Sequence, residues 1–269
     1  MSGAGPRVLG SKEMRFLFNT FLYMDVISSL TNGSSPVSTA LSINFLPPEL
    51  VTGQSKVEID PLLGCHLSLF PLLAQAVSIA NQYRGRAFDT ALDRDSLEAI
   101  REAMTVLEAL KQWEPPGHDP ELYTWTPNDP NCELSHIILT SKAYRIAGLS
   151  FLYDAVPVIR SREDSPPDVF VRQILDILKQ IPSSSRTITV QIWPLLAAGV
   201  YAEGSDRLWV QARFQDMQKQ LNLGNLDGAW DVCQECWRRQ DSSVQPLVGA
   251  LWLDVMQVYS INYLEPKTY

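Results

Sequence analysis

Residues 60–84 read DPLLGCHLSLFPLLAQAVSIANQYR. Asp60 and Pro61 have the chemistry of a helix start: a carboxylate accepts one of the first free N–H groups, and proline suits the first helical position. Leu62, His66, Leu69, Leu73, Ala76, Ala80 and Tyr83 then recur at steps of three and four, with Leu63, Phe70 and Val77 widening the stripe. A stripe this wide predicts a helix buried over most of its circumference. His66 is the one residue on it that titrates near neutral pH. Upstream, RFLFNTFLYMDVISSL (15–30) repeats the theme, with Asp25 placed inside an apolar run.

The same periodicity extends along the chain. Helices are predicted over 11–30, 60–84, 94–113, 132–156, 168–180, 187–202, 205–223, 226–239 and 244–262. The helix over 94–113 should turn Leu97, Ile100, Met104, Leu107 and Leu110 inward. The one over 132–156 is apolar almost all round, which predicts a central position. Gly204 and Gly224 stand where helix C-caps are wanted. The stretches 31–59 and 114–130 are rich in proline and glycine and read as loops. No alternating strand pattern reaches useful length; Thr187 to Ile192 is the nearest. The fold class expected is therefore all-α: antiparallel helix pairs stacked into a single helical domain over 11–269, after a disordered tail at 1–10.

The 269 residues are enough to bury a large core, and 45% of them are hydrophobic against 19% charged. The net charge of −8 repels phosphate backbones, which argues against direct nucleic-acid contact by this chain. No run of about eighteen uninterrupted apolar residues is present, so no membrane span is expected. The N-terminus lacks the apolar centre of a secretory signal, so Cys65, Cys132, Cys233 and Cys236 read as reduced thiols inside the cell.

FLYMDVISSLTNGSSP at the front, DPLLGCHLSLFPLLAQAVSIA, LTSKAYRIAGLSFLYDAV (139–156), WPLLAAGVYAEGSDRLWVQARFQDM (193–217) and LGNLDGAWDVCQECW (223–237) follow one another in an informative order. In that order and spacing the chain resembles the C-terminal regulatory domain of fungal binuclear-zinc-cluster transcription factors, from about residue 12 to residue 260. The resemblance implies an all-helical module that works in the nucleus and controls a DNA-binding head. That head packs six cysteines into about thirty residues around two zinc ions. Here four cysteines are spread from Cys65 to Cys236, so the head is expected to be missing from this chain. Some members of the family are similar to sterol sensors, with a small apolar molecule among the helices.

Cys233 and Cys236 form a CxxC pair, but no further ligands lie near it in sequence and it falls mid-helix between Trp230 and Trp237; apolar filling is the simpler reading, and no metal or cofactor is expected. Asp25 inside an apolar run needs a partner, and Arg145 on the central helix is the candidate for a register-fixing ion pair. His66, Phe70, Arg145, Trp193 and Trp252 are the candidate ligand-binding residues. No Gly-x-Ser-x-Gly elbow, phosphate loop or His-Glu-x-x-His helix occurs, and the aspartates near 93–96 and 128–131 lack the pattern of a prenyl-diphosphate site, so no catalytic residue is assigned.

Two functions fit these readings. In the first, a small apolar effector shifts the domain between two helix packings, exposing or hiding a surface for a homodimer or a co-regulator protein, with the last helix (244–262) as gate or contact. In the second, the domain is a ligand-free helical scaffold for protein–protein interaction.

Overall fold

A computed structural model describes residues 12–32, 34–38, 68–84, 94–115, 134–162, 167–221, 224–242 and 255. All regular structure among them is helical, in accord with an all-α single domain. The tail 1–10, His66, Trp252 and the last predicted helix, Val255 apart, lie outside the described residues.

The apolar run that predicts a central helix forms one. It is α4, Leu134–Ala155, and only Leu134, Ser135, Leu139, Lys142 and Arg145 keep partial exposure. Thr140 and Ser141 are buried in it because their hydroxyls donate back to the carbonyls of His136 and Ile137, at 2.7 and 2.9 Å. Around it stand α1 (Lys12–Asn32), α2 (Phe70–Arg84), α3 (Arg94–Gln112), α5 (Pro157–Arg162), α6 (Pro167–Lys179), α7 (Ile192–Gly199), α8 (Ser205–Leu221) and α9 (Gly224–Ser242). Helices α2, α3, α5, α6 and α7 all touch α4; α1 packs on α2, and α8 and α9 pack on α7.

Local chemistry explains where the elements end. Pro157 has no N–H to give, so α4 stops and Val156 bonds back to Leu152 before α5 begins. Pro71 occupies the first turn of α2, where the missing N–H costs nothing. In α6, Val171, Ile174, Leu175 and Leu178 are buried while Asp168 and Lys179 sit at the ends that suit their charges.

Three expectations are corrected. The helix expected over 187–202 is two elements, a 3-10 turn at Arg186–Val190 and then α7. The β-branched run Thr187 to Val190 disfavours an α start, and Ser185 Oγ accepts from Thr187 N at 3.3 Å to hold the tighter turn. On α3 only Leu97 departs from the expected inner face: it is exposed, while Leu107 and Leu110 are buried, Ile100 and Met104 pack partly buried against the core, and Ala99, Ala103 and Val106 complete the buried face. Gly224 opens α9 rather than closing α8. Gly204, with φ of +52°, serves the turn entering α8, a conformation that glycine adopts without strain.

Two other glycines mark close contacts. A Cβ on Gly148 of α4 would lie 2.6 Å from Leu73 Cδ2 of α2. One on Gly199 of α7 would meet Cys233 Sγ at 3.0 Å and Val210 Cγ1 at 3.1 Å.

Candidate functional site

Tyr144 sits in the middle of α4, fully buried. Its ring centroid lies 5.7 Å from that of Phe70 on α2 and 5.3 Å from that of Trp193 on α7. Phe70 in turn lies 5.8 Å from Tyr23 on α1. Four helices therefore meet through one chain of tilted rings, a geometry that aromatic quadrupoles favour. The polar ends are also organised. Tyr144 Oη donates to the Val190 carbonyl at 2.6 Å and is hydrogen-bonded to Tyr23. Burial raises the Tyr144 hydroxyl well above its ordinary pKa, and burial raises Tyr23 as well, so both stay protonated donors. Val190 ends the 3-10 turn just before α7, so this bond pins the stretch that carries Trp193. Trp193 is 3% exposed, and its Nε1–H has no acceptor among the described residues.

A second buried polar group lies at the far ends of α4 and α7. Tyr201 Oη donates to Asp154 Oδ2 at 2.8 Å, and Arg160 of α5 donates to the Asp154 carbonyl at 2.5 Å. Burial, and then the Asp154 charge, push the Tyr201 hydroxyl well above its usual range. Nearby, Arg207 of α8 donates to the Ala202 carbonyl at 2.8 Å and to both carboxylate oxygens of Asp241. Its guanidinium lies 5.2 Å from the centre of the Trp237 ring, and Trp237 Nε1 donates to the Gly199 carbonyl at 2.8 Å. These contacts lock the turn after α7 to the end of α9.

Arg213 of α8 is the most deeply buried cation described. It donates to the Ile181 carbonyl at 3.0 Å and to Gln191 Oε1 at 2.7 Å, with no ion pair among the described residues. Burial lowers its pKa, and its charge rests on carbonyl oxygens and on the Trp209 ring 5.9 Å away.

The structure thus brings together two of the residues singled out in the sequence, Phe70 and Trp193, through Tyr144. It does not bring Asp25 and Arg145 together, and the expected ion pair is corrected. The Asp25 carboxylate accepts from the backbone N–H groups of Val37 and Ser38, at 3.2 and 2.7 Å. Arg145 is adjacent to Tyr144 in sequence but faces α3, where it donates to the Lys111 carbonyl at 2.9 Å and pairs with Glu114 at 3.4 Å. Cys233 and Cys236 are buried free thiols one helical turn apart; burial pushes Cys236 up to about 12 and Cys233 well above the usual thiol range. Among the described residues no three ligating side chains gather in one place.

Tyr23 and Tyr144 were not singled out from sequence. The signal was present: each puts a hydroxyl into a helix whose neighbours are apolar, and such a hydroxyl needs a designated acceptor.

No match is found among the curated proteins or the solved structures. The model of one family, the fungal specific transcription factor domain, matches residues 3–264. That match covers nearly the whole chain and carries a role in transcription regulation; the chain belongs to the fungal specific transcription factor domain family.

Proposed function

We propose that this domain regulates transcription by taking up a small, mainly apolar effector with one hydrogen-bond acceptor, a sterol being one such molecule, at the junction of α1, α2, α4 and α7. The observation that supports this is the Nε1–H of Trp193, buried beside Tyr144 and lacking an acceptor among the described residues. An unmade bond to a buried donor costs about 1–3 kcal/mol. An oxygen on an otherwise apolar guest would recover that energy, while the rings of Phe70 and Tyr144 would supply apolar contact. The effector would act by favouring one of two packings of α1 and α7 around the fixed α4. In this reading the domain works in the nucleus on a zinc-cluster head, needs no cofactor and performs no catalysis.

Trp193→Phe tests the idea, because it keeps a ring and deletes the donor. Native mass spectrometry of the protein from a fungal host is expected to show a lipid-sized adduct on the unaltered chain and a depleted one on the variant. A chain that carries no adduct and gains no thermal stability from added sterol overturns the proposal. The second reading, a ligand-free scaffold for a protein partner, is favoured by a different observation: the exposed apolar side chains of α1.

A further inference from the structure

Residues 34–38, Ser-Ser-Pro-Val-Ser, are tied to both α1 and α2. The Asp25 carboxylate of α1 accepts from the N–H groups of Val37 and Ser38, at 3.2 and 2.7 Å. Asn81 of α2 donates through Nδ2 to the Ser34 carbonyl at 2.6 Å, and the hydroxyls of Ser29 and Ser34 lie 3.4 Å apart. Pro36 and Ser38 are buried by this seating. Ser35 is exposed, and its hydroxyl makes no hydrogen bond among the described residues. The proline that follows holds Ser35 in extended backbone. An exposed, extended serine directly before proline is the acceptor that proline-directed kinases select.

We infer that Ser35 is a phosphorylation site for a proline-directed kinase, and that the added phosphate displaces Asp25 and lifts residues 34–38 off α1 and α2. In the transfer the bond between ADP and the γ-phosphorus of ATP breaks and a bond from Ser35 Oγ to that phosphorus forms. The hydroxyl proton goes to the catalytic carboxylate of the kinase.

Charge makes the modification a switch. The phosphate brings about −1.5 to −2 charges at neutral pH. It would stand two and three residues before the N–H groups that Asp25 already fills. The two anions repel, and both seek the same donors. One pair of N–H groups cannot serve both, so the link from α1 to the segment is lost. Pro36 is buried, so the kinase takes the segment when it opens transiently, and the phosphate then keeps it open. Asp25 stands two residues from Tyr23, whose ring meets Phe70 of α2, so the release reaches the packing of α1 on α2. The inference does not rest on the effector reading.

The test uses the full chain. It is incubated with a proline-directed kinase and ATP, and the phosphopeptides are mapped by mass spectrometry. Thr126 and Ser165 also precede prolines and serve as internal comparisons. Phosphate on Ser35 is expected. In a chain made with phosphoserine at position 35, hydrogen exchange at the Val37 and Ser38 amides is expected to quicken at least about tenfold. Asp25→Ala is expected to quicken it beforehand, so that the phosphate adds little on that background. Ser35→Ala is expected to leave both this exchange and the melting temperature unchanged. Phosphate confined to Thr126 or Ser165, or none at all, overturns the site. A chain with phosphoserine at position 35 whose amide exchange is unaltered overturns the switch.

Discussion

At the scale of single residues, Tyr144 and Asp25 each hold specific hydrogen-bond partners, and removing one side of such a contact is more costly than its bland appearance suggests. Tyr144→Phe leaves the Val190 carbonyl and the Tyr23 hydroxyl short of a partner inside the core. It is expected to cost about 1–3 kcal/mol, read as a shift in the denaturant midpoint. Asp25→Ala removes the acceptor for two backbone N–H groups and is expected to cost about 1–2 kcal/mol, with Asp25→Asn recovering part of it because an amide oxygen still accepts. Destabilisation by Asp25→Ala also follows from a sequence reading, but through the wrong partner. An acid among apolar residues announces that it needs neutralising; it does not say whether a guanidinium or a pair of amides twelve residues on will do it. Oppositely charged Arg145 was a tempting answer, and it serves the end of α3 instead.

At the scale of elements, the helices were legible because a period of 3.6 residues survives any packing arrangement. The central place of α4 was legible too, since a helix without a polar face has nowhere else to go. What periodicity leaves open is which faces meet. Phe70 and Trp193 were nameable one by one, but their meeting at Tyr144 depends on the approach of α2 and α7 to α4. That approach is set in part by Gly148, which gives room to Leu73. Gly148→Val is expected to cost about 1–3 kcal/mol through overpacking, seen as a lower melting temperature. In α9, hydrogen bonds from Arg238 and Arg239 hold the Glu235 carboxyl down to about 2. The folded pKa is depressed, so its contribution is present above the ordinary value of 4.5 and fades as pH falls toward 2. Glu235→Gln is therefore expected to flatten the loss of stability over that window, measured by acid titration of the circular-dichroism signal.

At the scale of the whole molecule, the described helices share one core, and α4 is the member that most others touch. The −8 charge was legible and argues against contact with a phosphate backbone, yet it says nothing about where an acidic molecule can be approached. That depends on which side of α1 is buried, a tertiary fact. Placing Leu22 and Val26 inward turns Leu17 and Met24 outward.

Tyr23 and Phe21 stand two residues apart on one stiff rod, the first tied to the heart of the protein and the second open to its neighbours. If a guest among the rings changes by some factor how tightly a protein partner holds the outward side of α1, then that partner must change the grip on the guest by the same factor. An abundant partner that favours the guest-bound packing would then lower the concentration of signal to which the domain answers.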